Sequence, residues 1–248
     1  MGTSVSIVFP AFNEAENIEA SVEGAVRTMQ ELQREFEVIV VDDGSSDATR
    51  AKVDALVEAD SRVRCIHHPA NRGYGAALRT GLLAARLDLV FFTDADLQFD
   101  LREISKLLAY ADDYDIIAGY RSPRSDPFLR LVNAWAWGKL IHRLFNLKVR
   151  DVDCAFKVFN RRVLEAVPIQ SVGAFINTEI LVRARAEGFR LKQLPVRHYP
   201  RKAGVQSGAN PKVVVKAFVE LSRLYSELHS LKKPAPETQP SGTQRLRG

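Results

Sequence analysis

The chain has 248 residues, with 35 Lys and Arg against 30 Asp and Glu for a formal charge of +5, and only two cysteines, Cys65 and Cys154. Such a length suits one large α/β domain or two small ones with a sizeable core. Two cysteines exclude a disulfide framework and fit a reducing cytosol. The mild basicity falls short of a nucleic-acid binder but favours phosphate-bearing partners, and no apolar run approaches the roughly 18 residues of a membrane span.

Val5 to Phe9 is a short apolar run that reads as a buried strand. Helical spacing follows over Asn13 to Leu32, with Ile18, Val22, Ala25, Val26 and Met29 on one face. Glu37 to Val41 is a second strand and runs into Asp42-Asp43-Gly44-Ser45-Ser46-Asp47, a turn leading to a helix through Leu56. Arg62 to His67 is a third strand, and a glycine-bearing loop at Asn71, Gly73 and Gly75 opens a helix over Ala76 to Ala85. Leu89 to Thr93 predicts a fourth strand ending at Asp94, then a helix over Leu101 to Ala111 and a strand over Asp115 to Gly119. Strands alternating with helices predict an α/β fold with a mostly parallel sheet covered on both faces. Ligands in such sheets bind beyond the carboxyl ends of the strands, where the polar clusters fall.

The second half is less regular. Pro127 to Leu147 reads as a helix carrying Trp135 and Trp137, Arg150 to Phe159 mixes acids with apolar residues, Thr178 to Glu187 is a helix and Leu191 to Val196 a strand. Asn210-Pro211 resembles an N-cap with proline at the first helical position, and the helix after it places Val214, Phe218, Leu221, Tyr225 and Leu228 on one stripe. Residues 1–232 are read as a single domain, with 1–120 binding nucleotide and 121–232 facing the acceptor and membrane; 233–248 has the composition of a disordered tail.

Asp94-Ala95-Asp96 sets two carboxylates just past a buried strand, where both reach one hard cation such as Mg2+ or Mn2+. Gln98 adds a neutral oxygen. An acidic turn capping the helix near Leu101 is the plainer account. Asp42 and Asp43, at a strand end, suit hydrogen bonds from a ribose or a base, while Ser45, Ser46 and Asp47 suit a helix cap. Phe12 can lie on a base and Glu14 can accept its N–H groups; equally, Asn13 and Glu14 can start a helix.

Pro10-Ala11-Phe12-Asn13-Glu14, Val40-Val41-Asp42-Asp43-Gly44-Ser45 and Thr93-Asp94-Ala95-Asp96-Leu97-Gln98, in this order, resemble the family 2 glycosyltransferases with a GT-A fold. From Val5 to about Leu228 the chain is most similar to the polyprenyl-phosphate hexosyltransferases, which include the dolichol-phosphate mannose synthases. Asn71-Arg72-Gly73 through Arg79, Gly119-Tyr120-Arg121, Asp151-Val152-Asp153-Cys154-Ala155-Phe156-Lys157, and Arg201 with Gly204 and Ser207 resemble further motifs of that branch. Ala155 stands where glycine is common and Lys157 where arginine is common. The resemblance implies that Pro10, Phe12, Glu14, Asp42, Asp43, Asn71 and Arg79 line the nucleotide-sugar site, with a UDP- or GDP-linked donor. Asp94, Ala95, Asp96 and Gln98 would hold the metal and diphosphate, and Arg121 and Arg201 would grip phosphates.

A polyprenyl phosphate acceptor is itself anionic, so inverting transfer to it needs no strong general base. No catalytic histidine is evident at a strand end; Asp151, Asp153 and Glu179 are base candidates for a hydroxyl acceptor, with an exposed helix position the plainer account of Glu179. Residues 121–150 hold seven Lys and Arg against the single acid Asp126, interleaved with two tryptophans, which suits a helix lying in a membrane interface. An ordinary half-buried helix is the competing account. The chain is therefore expected to be cytoplasmic and peripheral at the membrane's cytoplasmic face, alone or through a membrane-anchoring partner or homo-oligomer. A soluble hydroxyl acceptor or a non-catalytic membrane-surface module are the alternatives. A sugar nucleotidyltransferase or a dinucleotide oxidoreductase would need a glycine-rich loop that neither Pro10 to Asn13 nor Gly73-x-Gly75 supplies.

Overall fold

The structure, a computed structural model, describes residues 3–123, 128–201 and 211–230. The strands are β1 (Val5–Ala11), β2 (Phe36–Asp42), β3 (Val63–His67), β4 (Leu89–Thr93), β5 (Ile116–Arg121), β6 (Phe156–Asn160) and β7 (Leu191–Val196). Among the described residues they form one seven-stranded sheet in the order β3-β2-β1-β4-β6-β5-β7. β6 runs antiparallel to both its neighbours, and every other pairing is parallel. The helices are α1 (Ile18–Glu31), α2 (Thr49–Ala59), α3 (Tyr74–Ala84), α4 (Ile104–Leu108), α5 (Phe128–Phe145), α6 (Arg161–Ala166), α7 (Ile176–Ala186) and α8 (Pro211–Ser230).

Near-continuous apolar strands bury both faces of the sheet, as parallel sheets require. Phe9, Val38, Phe91 and Val158 pack one face against Ile18, Val22, Ala25 and Met29 of α1 and Leu107 of α4. Val8, Val41, Phe92 and Phe159 pack the other against Leu78 and Leu82 of α3, Ile180 of α7 and Leu221 and Leu224 of α8. Gly81 lets α3 lie directly on the sheet, because a Cβ there would stand 2.3 Å from Val8 Cγ1.

The six strands read from apolar runs are present. The helix expected from Asn13 begins later, at Ile18, because Asn13 adopts φ 55° and its backbone N–H donates to Ser45 Oγ at 3.0 Å. The segment Leu101 to Ala111 divides into a 3-10 turn and the short α4. β6 was not read as a strand, since the acids before it hide its apolar run. α8 begins at Pro211, but its stripe is split: Leu221 is buried and Leu228 half-buried, whereas Val214, Phe218 and Tyr225 are exposed, and Leu224, outside the stripe, is buried. The expected tail at 233–248, together with Gly204, Ser207 and Asn210, lies outside the described residues.

Candidate active site

The carboxyl ends of β1, β2 and β4 bring three of the motifs together. Past β1, Phe12 is 41% exposed, which leaves its ring open to a ligand. Pro10 sits in β1 opposite Val41 of β2. The loops after β1 and β2 are stitched together: Asn13 Oδ1 accepts from the Ser46 N–H at 2.9 Å, and the Glu14 N–H donates to Thr49 Oγ1 at 2.8 Å. Gly44 at φ 70° allows this turn, since a Cβ would meet the Ala70 backbone at 2.5 Å. Asp47 accepts from the Thr49 N–H at 2.9 Å just before α2, whose N-cap is Ala48 rather than the expected Asp47.

Asp42 and Asp43 are both buried, with different tasks. Asp42 accepts from the Ser45 N–H at 3.0 Å and lies 2.9 Å from His67 Nδ1, whose Nε2 lies 2.9 Å from Asp54. Burial works to raise the Asp42 carboxyl, but hydrogen bonds from Ser45 and His67 outweigh it and hold the group below its ordinary value. Asp43 accepts from the backbone N–H of Gly73 at 2.8 Å and of Arg72 at 3.0 Å, and pairs with His68 at 2.6 Å. It thereby sets the loop that carries exposed Asn71 into α3. Arg79 on α3 is half-buried, and its Nε has no hydrogen-bond partner among the described residues. His67 ends β3 as expected and is engaged by two carboxylates, Asp42 and Asp54.

Asp94 and Asp96 follow β4, with buried Ala95 between them accepting from Ser21 Oγ at 3.0 Å. Leu97 at φ 58° turns the chain so that the Gln98 N–H donates to Asp96 Oδ1 at 3.2 Å. Gln98 Nε2 donates to the Tyr199 carbonyl at 3.0 Å. Burial, with the neighbouring Asp96 charge, pushes Asp94 up to about 7, and burial likewise raises Asp96. Two crowded carboxylates held at a strand end are stabilised as anions by a divalent cation, so these residues fit Mg2+ or Mn2+. Among the described residues no group of three or more His, Cys, Asp or Glu is placed to hold a metal, so the remaining ligands would come from Gln98, water and substrate phosphate.

Around this pair stand groups from other elements. Arg201 is ion-paired with Glu14 and lies 3.8 Å from Asp96 Oδ2. Tyr74, at the start of α3, has Asp94, Asn177 and Asp153 as electrostatic neighbours. Arg121 at the end of β5 is held by Asp151 through contacts of 2.7 and 2.8 Å. Of the base candidates, Asp151 is thus engaged. Glu179 is not an exposed helix position but 2% exposed, accepting from the Ser171 N–H at 2.7 Å and from Arg183 Nε at 3.0 Å. Asp153 is exposed. Reading the sequence did not single out Tyr74, the first residue of α3, as a neighbour of Asp94, or Asn177, the second of α7, as a neighbour of Tyr74; their place at helix starts was the available signal.

α5 and α8 pack edge-to-face through Trp137 and Phe218 at 5.5 Å and through Phe145 and Tyr225 at 6.1 Å. Both turn apolar groups outward: Val132 and Trp135 on α5, 65% exposed at Trp135, and Val214, Val215, Phe218 and Val219 on α8. Lys139 lies 5.9 Å from the Trp135 ring, and Arg143 is exposed one turn on. Among the described residues no helix is long and apolar enough to cross a membrane.

The family model described as Glycosyl transferase family 2 matches residues 6–167. The chain is 35% identical over 210 residues to Glycosyltransferase AglD of Haloferax volcanii, covering 81% of this chain and 34% of that protein. It is 30% identical over 206 residues to Dodecaprenyl-phosphate galacturonate synthase of Rhizobium johnstonii, covering 81% of this chain and 60% of that protein. The chain thus spans about a third of the first relative and three fifths of the second. In fold it is similar to mannosyl-3-phosphoglycerate synthase from Rubrobacter xylanophilus, with a TM-score of 0.69 at 14% identity, covering 96% of this chain and 79% of that one. It is also similar to glucosyl-3-phosphoglycerate synthase from Mycobacterium tuberculosis in complex with Mn2+, UDP-glucose and phosphoglyceric acid, with a TM-score of 0.68 at 19% identity over 91% of this chain and 80% of that one. The architecture is the GT-A fold, and by sequence motifs, family model and relatives alike the chain belongs to the family 2 glycosyltransferases.

Proposed function

We propose that the chain transfers a hexose, with inversion, from a UDP- or GDP-sugar to a polyprenyl phosphate at a membrane surface. The observation that carries the transfer chemistry is the paired Asp94 and Asp96 at the end of β4, with Arg201 and Glu14 beside them. Phe12, Pro10 and Asp42 border the nucleoside side, and Asp43 sets the Asn71 loop that closes it. A divalent ion on the two aspartates would supply charge neutralisation to the leaving diphosphate. As the acceptor oxygen bonds to the sugar C1, the bond from C1 to the diphosphate breaks and its electron pair leaves on the diphosphate. Arg201 exchanges its contacts with Glu14 for a phosphate, a task for which its planar fork is suited.

A phosphate acceptor is already ionised, which agrees with a site where Asp151 and Glu179 are engaged by arginines. The lipid reading is supported by the outward apolar and basic face of α5 and α8 and by the dodecaprenyl-phosphate relative. That face would seat the enzyme peripherally on the cytoplasmic leaflet. The name of the phosphoglycerate synthases favours a second reading, a soluble acceptor.

A thermal-shift screen of UDP, GDP and their hexose conjugates with and without Mn2+ identifies the donor, and transfer is then measured to undecaprenyl phosphate and to phosphoglyceric acid. The expected result is a metal-dependent shift with one nucleotide and label appearing in the lipid. Label in phosphoglyceric acid alone would replace the acceptor assignment, and no metal-dependent binding of any nucleotide would overturn the donor site.

A further inference from the structure

β6 carries a lysine at its second position. Lys157 lies opposite Phe92 of β4 and Ala118 of β5 and is 0% exposed. Its stem crosses Phe92, with Nζ 5.4 Å from the ring centroid. The ammonium group ends beneath the preceding turn, where it donates to the Val152 carbonyl at 3.1 Å and to the Cys154 carbonyl. A buried cation is costly compared with an apolar side chain of the same size, so its presence calls for a reason beyond packing.

The turn it grips supplies one. Asp151 holds Arg121 at the end of β5. Two residues on, exposed Asp153 lies among the charges that act on Tyr74, as does Asp94 at the end of β4. β6 lies between β4 and β5 in the sheet. Lys157 therefore sits under the ground between the donor carboxylates and the Arg121–Asp151 fork. Asp94, Asp151, Asp153, Cys154 and Arg121 are the charged and titratable groups that act with it.

We propose that Lys157 is a positioning residue for the transfer: by gripping the Val152 and Cys154 carbonyls it sets residues 151–154 so that Asp153 and the Arg121–Asp151 fork face the acceptor opposite Asp94. Lys157 itself touches no substrate. This inference rests on the transferase reading above, but the position of the turn is measurable without any substrate.

Three variants test it: Lys157→Met, Lys157→Gln and Lys157→Arg. Hydrogen exchange followed by mass spectrometry should show amides of residues 152–155 exchanging at least tenfold faster in Lys157→Met, with β1 and β4 unchanged. Lys157→Gln keeps one donor and no charge, and serves if the Met variant does not fold. With the donor identified by the thermal-shift screen and undecaprenyl phosphate as acceptor, kcat/KM for the acceptor should fall about 10- to 100-fold. The donor KM should stay within about threefold, and Lys157→Arg, which keeps the charge and the N–H donors, should recover part of the loss. A purely structural lysine would instead lower the folded fraction and leave both KM values alone, and that result overturns the proposal, as does unchanged exchange at 152–155. If the wild-type enzyme transfers no sugar to lipid, the acceptor reading fails while the exchange measurement still decides the role of Lys157.

Discussion

The two halves of the molecule treat their ligand-facing groups in opposite ways. At the ends of β1, β2 and β3, polar side chains are already engaged: Asp43 takes two backbone N–H groups and a histidine, Asp42 takes Ser45 and His67, and Asn13 ties one loop to the next. On α5 and α8 the outward groups are apolar, with Trp135, Val215 and Val219 more than half exposed. Preorganised polar loops suit a small ligand that must be held in one pose, because little ordering remains to be done on binding. An apolar, basic surface suits a partner without fixed geometry, such as a lipid leaflet. On the proposed function, the difference would separate a site that recognises from a face that docks, and each half should fail differently when it is broken.

The largest effect should come from the recognising half. Asp96→Ala is expected to lower sugar transfer by at least about 1,000-fold and to abolish Mn2+-dependent nucleotide binding, since both depend on the paired carboxylates. The melting temperature should change by no more than about 2 °C, because the substitution relieves crowding beside Asp94. Calorimetry with the cognate nucleotide and a transfer assay check both, and wild-type turnover in this variant would remove the proposed mechanism.

The docking half should give a smaller and separable effect. Trp135→Ser takes one large apolar side chain off a face it does not stabilise, given its 65% exposure. Binding to vesicles of mixed phosphatidylcholine and phosphatidylglycerol should weaken about tenfold, the value of roughly 1.4 kcal/mol of interfacial burial. Co-sedimentation measures this, with the melting temperature expected within about 2 °C of wild type. Equal vesicle binding by the two proteins would mean that lipid is not what this face meets.

The same contrast explains what could be read in the sequence. The strands up to β5 were legible because parallel strands buried on both faces are near-continuous apolar runs, as in Val5 to Phe9 and Leu89 to Thr93. Asp94, Asp96 and Asp42 were legible because they directly follow such runs. The division of labour between Asp42 and Asp43 was not, since it depends on where residues 72 and 73 return in space. β6 was obscured by Asp151 and Asp153 in the approach to it and by Lys157 within it, a residue type rarely buried. Glu179 looked like a surface position because, apart from Arg183 one turn on in the same helix, its partners are the Gln170 and Ser171 N–H groups, which the fold brings to it. The α8 stripe could not be split in advance, because helical spacing shows which residues share a face and not how far along the helix the core reaches.

The smallest effect sharpens the link between the halves. Arg183 on α7, itself paired with Glu179, reaches Glu227 on α8 through two contacts of 2.8 Å. The Arg183 guanidinium holds the Glu227 carboxyl below its ordinary 4.5 against a smaller opposing effect of burial. A carboxylate depressed in the folded state stabilises the fold above its unfolded value and loses that contribution as pH falls through its folded value. Glu227→Gln should therefore cost about 1–2 kcal/mol at pH 7, with Arg183 still neutralised by Glu179. That corresponds to a melting temperature roughly 2–8 °C lower for a chain of this size. The gap should narrow as pH falls below the unfolded value of 4.5 and through the lower folded value, where the wild-type carboxylate takes up its proton. Calorimetric melts from pH 7 to pH 3.5 read this directly. A gap that stays constant on the acid side would show that the loss does not come from the Glu227 charge, and no gap at pH 7 would show that the docking face does not depend on this ion pair for its attachment to the transferase core.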